Sequence, residues 1–400
     1  MKISLNKTIF SLFYILIFVS AIGRIQYSAT SVSYWIALYR TSIYLIELIG
    51  VGYTLYKHVL LFKRNIAAFL GFMVLYELAI TFLRYRSLGT TLFNEIVIDL
   101  LGWPLVFIFT YQFVKDIGIL KAFKGITVCG VSIIIIITAF NISNMGRIGI
   151  NPAVGGVGYC VAVLPLVYLY FPKKFQKIIT FIVLVIVLLS TKRSSFLALL
   201  IGIFTYYISD AIIQKTPRQK INKMLFVMFM AIVAAIAGIY MLESSQLEIV
   251  KEFTSQDETL SGRTLLWERI LTNYNSLSFS ERFFGSGMHA VKWKFNPYGL
   301  GWYAHNSFIE TLYDYGIVGM ALLIIFIVMI IKKTIKMNLD KSRISPIISF
   351  TIPPMLLFAS SSYFFEIGQI MIFYSFIWSF CVAVFDIGLI EQKIESGDVR

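Results

Sequence analysis

Charged residues are scarce in this chain, and their scarcity excludes a soluble globular protein. Only 14% of the 400 residues are charged, whereas 58% are hydrophobic and 16% are aromatic. Soluble domains usually carry about a quarter of charged residues. Apolar runs of roughly the 17–25 residues that a bilayer requires recur along the whole chain. The sequence therefore predicts an all-α, polytopic integral membrane protein.

Cysteine and histidine are also rare, with three residues of each type. All three cysteines, Cys129, Cys160 and Cys381, fall within apolar runs, and no Cys-x-x-Cys occurs. Neither a disulfide framework nor a thiolate metal site is therefore predicted. His289 and His305 lack the spacing of paired metal ligands on a helix, so we expect neither a catalytic metal nor a cofactor.

The apolar runs predict about twelve transmembrane helices. They lie near residues 7–23, 33–56, 66–83, 92–114, 123–140, 152–171, 175–190, 194–213, 222–242, 307–331, 344–361 and 363–388. The first run follows Lys2 and Lys7, as the apolar part of a signal peptide would. Because further spans follow at once, we expect an uncleaved first helix.

Lysine and arginine clusters fall on alternate connections between these spans. The positive-inside rule assigns such connections to the cytoplasm and leaves both termini cytoplasmic. The net charge of +14 then lies mainly in short loops beside anionic lipid, and no nucleic-acid partner is expected.

One connection, 243–306, is much longer and more polar than the others. The charge alternation places it outside the cytoplasm. It has apolar residues at helical spacing after Ser261, and Phe284-Gly285-Ser286-Gly287 is typical of a turn. We expect a large extracytoplasmic loop that forms a small helical cap, between a membrane domain of nine helices at 1–242 and a second of three helices with a cytoplasmic tail at 307–400.

Three outer connections each contain an arginine near the membrane surface, against the charge rule: Arg147, Arg193 and Arg263. Guanidinium is a planar, permanently charged fork that matches phosphate oxygens. If the three converge, they could bind the headgroup of a phospholipid or a pyrophospho-lipid. Alternatively, each could extend separately to ordinary headgroups.

The start of the next span is unusually polar. A helix that begins near Asn306 places Asn306, Glu310 and Asp314 on one face, which we expect to point to a polar cavity or to other helices rather than to lipid. His305 lies just above this face at the water boundary. An imidazole there can take a proton from a hydroxyl. Alternatively, Asn306 caps the helix, Glu310 pairs with a distant cation and His305 is merely interfacial.

The motifs of residues 140–330 resemble the O-antigen polymerase and O-antigen ligase family of bacterial envelope proteins. Those that carry the resemblance are Gly146-Arg147-Ile148-Gly149-Ile150-Asn151-Pro152, Ser190-Thr191-Lys192-Arg193-Ser194, Ser261-Gly262-Arg263 followed by Trp267, Gly285-x-Gly287, and His305-Asn306-x-x-Ile309-Glu310-x-x-x-x-x-Gly316-x-x-Gly319.

The resemblance implies a multi-span glycosyltransferase in the bacterial cytoplasmic membrane. Such enzymes transfer a saccharide from polyprenyl pyrophosphate to a sugar hydroxyl on the extracytoplasmic side, without a metal or a nucleotide sugar. By this resemblance, Arg193 and Arg263 hold the pyrophosphate, Arg147 assists, and Asn306 and Glu310 bind substrate. His305 acts on the acceptor hydroxyl, and attack in a single step would invert the anomeric centre.

Three functions stay open at this point. A polymerase joins lipid-linked repeat units of a surface polysaccharide, whereas a ligase hands the polymer to a lipid A core or another acceptor. We favour the polymerase, since the chain has little of the charge expected for docking a phosphorylated core. The partners expected are the lipid-linked oligosaccharide, an acceptor glycan, the bilayer, a flippase and a chain-length regulator. A transporter of polysaccharide or lipid would also have many spans, but it commonly has related halves, which this chain lacks.

Overall fold

Every secondary-structure element among the described residues is a helix. The computed structural model describes residues 5–57, 66–85, 90–117, 123–143, 153–190, 193–214, 217–218, 221, 224–225, 257–295, 303–361 and 368–395. The all-α class that the apolar runs predict is confirmed over this part of the chain.

Fifteen α-helices and one π-helical stretch make up this part of the chain. In chain order they are α1 (Leu5–Thr30), α2 (Ser33–Lys57), α3 (Ile66–Arg84), α4 (Thr90–Glu95), the π-helical stretch Ile96–Leu101, α5 (Gly102–Ile117), α6 (Lys124–Ser143), α7 (Ala153–Tyr170), α8 (Lys173–Leu189), α9 (Arg193–Ile212), α10 (Asp257–Ser276), α11 (Phe279–Phe284), α12 (Ala290–Lys294), α13 (Ser307–Leu339), α14 (Ser345–Ser361) and α15 (Gly368–Glu395).

Eight helical segments in the described residues are long and apolar enough to cross a membrane, and two shorter apolar helices accompany them. The structure therefore shows a membrane protein, while the full number of twelve spans stays a prediction. Helix α8 lies at the predicted span 175–190 and has 17 residues, the lower limit for a bilayer. The predicted span 222–242 lies almost wholly outside the described residues.

The core of the bundle is built around α7 and α15. The stretches 156–168 and 371–383 in these helices are buried on every face. A helix that is apolar all round is stable only when neighbours cover all its sides. Helix α7 is covered by α1, α6, α8, α9, α14 and α15, and α15 also packs closely on α5.

Helices α9 and α14 pack side by side in antiparallel directions. The Thr205 hydroxyl donates to the carbonyl of Ser349 at 3.0 Å, and the hydroxyls of Ser209 and Ser345 lie 3.3 Å apart. Because the two helices run in opposite directions with this register, the start of α9 lies level with the end of α14.

Helices α10, α11 and α12 lie in the segment 257–295, which we call the cap segment. All three pack against α13, and the end of the bundle that they cover is called the cap end. Helix α3 ends at the same place, because the Arg84 guanidinium donates to the carbonyl of Gly285 at 2.9 Å. Whether this end faces outward, and the division of the chain at 242 and 306, stay predictions.

Candidate functional site

His305 lies in a left-handed backbone conformation immediately before α13. Its φ angle is 52°, which is uncommon for a residue with a side chain. The next residue, Asn306, is the N-cap of α13, and its side-chain oxygen accepts hydrogen bonds from the amides of Phe308 and Ile309 at 3.0 and 3.2 Å. The Asn306 side-chain nitrogen donates to the carbonyl of Ser360 in α14. These bonds fix where α13 begins and hold His305 just outside it.

Ala304, the residue that precedes His305, is held through both of its backbone polar groups. The amide of Ala304 donates to Oε2 of Glu310 at 2.5 Å, and the Trp267 indole nitrogen donates to the carbonyl of Ala304 at 2.6 Å. Ala304 and Glu310 are fully buried. Since Trp267 belongs to α10 and Glu310 to α13, the position of His305 depends on the packing of the cap segment against α13.

Asp314, one turn beyond Glu310, holds the start of α12. Its carboxylate is fully buried and accepts from the amide of His289 at 2.6 Å and from the amide of Val291 at 3.2 Å. A carboxylate placed at a helix start satisfies amides that have no partner within the helix. Glu310 thus bonds to the chain just before α13 and Asp314 to the cap segment, in agreement with the expectation that this face avoids lipid.

A break in α13 at Gly316 receives the loop that follows α11. Gly316 has φ 69° and ψ −169°, so the helix ladder is interrupted there. Two carbonyls before the break accept from that loop: Tyr313 from the amide of Ser286 at 3.2 Å, and Asp314 from the amide of Gly287 at 2.8 Å. A Cβ atom at Gly285 would lie 2.2 Å from the carbonyl oxygen of Asp314, which leaves room only for glycine.

A buried histidine lies beside this loop. His289 has Nδ1 3.1 Å from Oε2 of Glu95, while Lys292 donates to Oε1 of the same carboxylate at 2.5 Å. The His289 ring also meets the ring of Tyr303 edge-on, with centroids 5.3 Å apart. Burial lowers the pKa of His289, and the hydrogen bond with Glu95 opposes that shift only in part. His289 is thus held mainly in its neutral form, and its ring packs against Tyr303, two residues before His305.

A small cavity of about 30 Å³, with both polar and apolar lining residues, lies beside His289. This is room for about two water molecules. Nε2 of His289 is buried without a protein hydrogen-bond partner in the described part of the chain. Asp99, from the π-helical stretch, also lines the cavity. The full lining is Met73, Glu77, Asp99, Leu100, Trp103, Met288, His289, Thr311, Tyr315 and Leu323.

For the predicted arginines, the structure gives the backbone positions of Arg193 and Arg263 only. Arg193 is the first residue of α9, so its backbone lies level with Ser361 at the end of α14, next to the Ser360 carbonyl that Asn306 binds. Arg263 lies in α10, one turn before Trp267. Arg147 falls outside the described residues. The backbones of Arg193 and Arg263 therefore come to the cap end, while the convergence of the three side chains stays a prediction.

The sequence pattern placed Asp314 on the polar face of α13 without indicating a role for it, and it did not single out Glu95. Glu95 lies near the start of an apolar span, where an ionisable residue is a functional candidate by default. That signal was present, but its partners His289 and Lys292 are almost 200 positions away. For Asn306 and Glu310, the described contacts are within the protein, and their predicted role in substrate binding is untested.

Within the described residues, no three His, Cys, Asp or Glu side chains are grouped so that they could hold a metal ion. Cys129, Cys160 and Cys381 are all free thiols. What the geometry offers is a partly buried His305 whose preceding residue is held by the buried carboxylate of Glu310.

Comparison with protein families gives one match. Residues 178–324 match the family model described as O-antigen ligase. The matched region begins in α8, contains α9 and the cap segment, and ends within α13, so it includes Arg193, Arg263, His305 and Glu310. A comparison with curated proteins gave no match.

Proposed function

The chain carries the domain of the O-antigen polymerase and ligase family, and on this premise we propose that it is a polysaccharide polymerase with His305 as its base. The family implies a glycosyltransferase-like enzyme that uses lipid-linked glycans in a membrane. The observation that carries the proposal is the way His305 is held. The left-handed backbone of His305, the hydrogen bonds that link Ala304 to Glu310 and Trp267, and the capped start of α13 fix the position of His305 at the cap end.

The proposed reaction is a single displacement at the anomeric carbon. The acceptor hydroxyl oxygen forms a bond to that carbon while the bond to the pyrophosphate oxygen breaks. His305 takes the hydroxyl proton, and polyprenyl pyrophosphate leaves with the bonding electron pair. Attack from the face opposite the leaving group inverts the anomeric configuration, and a base in this role typically contributes about 10²–10⁴-fold.

Arg193 and Arg263 are proposed to hold the departing pyrophosphate, with Arg147 as a third cation. Negative charge grows on the pyrophosphate as the bond breaks, and guanidinium groups already in place stabilise it. Two features support this role: α9 begins at Arg193 at the cap end, and Arg263 lies one turn from the tryptophan that binds the Ala304 peptide.

The acceptor is proposed to be a second lipid-linked repeat unit, because the chain has few charges with which to dock a phosphorylated core. The ligase is the second candidate, and the description of the matching family favours it. The family match favours a transferase over the transporter alternative.

Reconstitution with a single lipid-linked substrate distinguishes the two candidates. The purified protein is placed in proteoliposomes with a polyprenyl-pyrophosphate oligosaccharide and no other acceptor. A ladder of longer lipid-linked products supports the polymerase. Product that forms only after a separate acceptor is added identifies a ligase. Liposomes prepared without the protein serve as the control.

The proposed setting is the bacterial cytoplasmic membrane, with the cap end on the extracytoplasmic side and both termini in the cytoplasm. The alternation of lysine and arginine along the loops supports this orientation. A flippase that delivers the donor and a regulator of chain length are the protein partners that this reaction would require.

A further inference from the structure

Helix α11 exposes three phenylalanines at the cap end. The exposed fractions of Phe279, Phe283 and Phe284 are 73%, 37% and 41%. The rings of Phe279 and Phe283 are stacked with centroids 5.8 Å apart, and the ring of Phe284 lies 5.0 Å from that of Phe283. The three rings form one continuous apolar patch, which we call the phenylalanine patch. Such patches mark surfaces that meet a partner or a membrane.

The phenylalanine patch lies at the level of the membrane boundary. The Tyr76 hydroxyl donates to the carbonyl of Phe284 at 3.1 Å, and Arg84 donates to the carbonyl of Gly285. Tyr76 lies two turns before Arg84, about 12 Å along the axis of α3. A tyrosine side chain is shorter than this rise of about 12 Å, so the Phe284 carbonyl that Tyr76 binds cannot lie beyond the end of α3. Phe284 therefore lies level with the last turns of α3, which is a candidate membrane span.

Exposed apolar residues of α3 lie near the level of the patch. Phe82 and Leu83, in the last turn of α3, are 54% and 79% exposed. Exposed apolar side chains on a membrane span face acyl chains, since water is absent there. Arg282, exposed on α11, places a cation beside the patch, and anionic headgroups attract such cations.

We propose that the phenylalanine patch inserts into the boundary between lipid headgroups and acyl chains, and that α11 anchors the cap segment to the membrane surface. The rings of Phe279, Phe283 and Phe284 lie in the outer part of the acyl layer and not in water. Arg282 contacts the headgroup phosphates. The occupant is the lipid of the leaflet at the cap end. This role is independent of the reaction proposed above.

The anchor fixes the depth of the loop that enters the break in α13. That loop follows α11 directly, and its amides bind the carbonyls of Tyr313 and Asp314. An α11 held at the membrane surface therefore holds the break in α13 at a fixed depth. The left-handed His305 segment, attached to the same helix, lies at a fixed height above the lipid.

Spin-label accessibility tests this inference in the intact protein. A nitroxide is attached to Phe279→Cys and, as a matched control, to Glu268→Cys, which is exposed on α10. Both variants carry Cys129→Ser, because Cys129 is exposed and the other two cysteines are buried. The labelled proteins are reconstituted in lipid nanodiscs, and collision rates with oxygen and with a water-soluble nickel chelate are measured.

We expect the ratio of oxygen to nickel collisions to be severalfold higher at 279 than at 268, because oxygen concentrates in acyl chains. Equal ratios at the two positions would place the phenylalanine patch in water and overturn the inference. Low collision rates with both reagents at 279 would also overturn it, since the patch would then be covered by a second copy of the chain. Gel filtration of both variants as single sharp peaks confirms that they are folded.

Discussion

The buried carboxylate of Glu310 accepts a hydrogen bond from the amide of Ala304, at 2.5 Å, and so fixes the residue that precedes His305. Ala304 and Glu310 lie on either side of the start of α13, and the Trp267 indole donates to the carbonyl of Ala304, in the next peptide group. This relationship gives Glu310 a positioning role that does not require contact with substrate.

Two substitutions of Glu310 test whether it positions His305 through its hydrogen bond or acts through its negative charge. Glu310→Ala leaves the buried Ala304 amide without an acceptor, at a cost of about 1–3 kcal/mol. A displacement of His305 by about 1 Å should then lower kcat by about 100-fold. Because the donor is held elsewhere, KM should change little. Glu310→Gln keeps an oxygen that can accept the bond and should restore most of kcat.

Steady-state measurements of kcat and KM on the two Glu310 variants distinguish the two roles. Equal loss of activity in the alanine and glutamine variants would show that the negative charge matters, as expected if Glu310 binds substrate. A large rise in KM would point to the same role.

The junction between the cap segment and α13 depends on Gly285. Its φ angle is 94°, and an added Cβ would meet the Asp314 carbonyl at 2.2 Å. With ψ at 172°, Gly285 lies in an extended region of positive φ that is essentially restricted to glycine and costs another residue about 1–3 kcal/mol, and the clash adds to that. Gly285→Ala should therefore lower the thermal midpoint of the purified protein and reduce turnover.

Gly52→Ala is the matched control, since nothing lies within 4 Å of a Cβ added at that helical position. Alanine there should leave stability unchanged or raise it by about 0.5–1 kcal/mol. If Gly285→Ala were as stable and active as Gly52→Ala, the close packing of Gly285 against α13 would be contradicted.

The fold was predictable where the signal is local, and the site was predictable only in part. Apolar length predicted the described spans, and the spacing of Asn306, Glu310 and Asp314 predicted one face that turns away from lipid. The left-handed backbone of His305 and the break at Gly316 have no local pattern that distinguishes them from an ordinary helix start. They depend on contacts with the cap segment, such as the indole of Trp267 on Ala304, and contacts over such separations cannot be read from spacing.

Replacement of Arg193 or Arg263 by lysine tests the pyrophosphate site. Lysine keeps the charge but loses the two-pronged geometry. A hydrogen bond to a charged group contributes about 1.5–3 kcal/mol, so affinity for the lipid-linked donor should fall about 10-fold to 100-fold. Arg269→Lys, at an exposed position on the same helix as Arg263, should bind the donor normally. Normal donor binding by Arg193→Lys or Arg263→Lys would remove that residue from the shared site.

Cysteine labelling in intact cells tests the orientation of the cap end. Single cysteines are placed at Asn275 in α10 and at Lys341, which follows α13, both exposed, in a Cys129→Ser background. An impermeant maleimide should modify the cysteine at 275 and spare that at 341 until the cells are broken. The reverse pattern would place the cap end in the cytoplasm and exclude an extracytoplasmic reaction.

The central claim is that His305 removes the proton from the acceptor hydroxyl, and His305→Asn tests it most directly. Asparagine tolerates the left-handed conformation that His305 adopts, so the loop is kept while the base is removed. Single-turnover rates and equilibrium donor binding are measured on the same purified variant. The account predicts a loss of about 10²–10⁴-fold in rate with nearly unchanged donor affinity. An unchanged rate would contradict it, and so would abolished donor binding, which would place His305 in the pyrophosphate site.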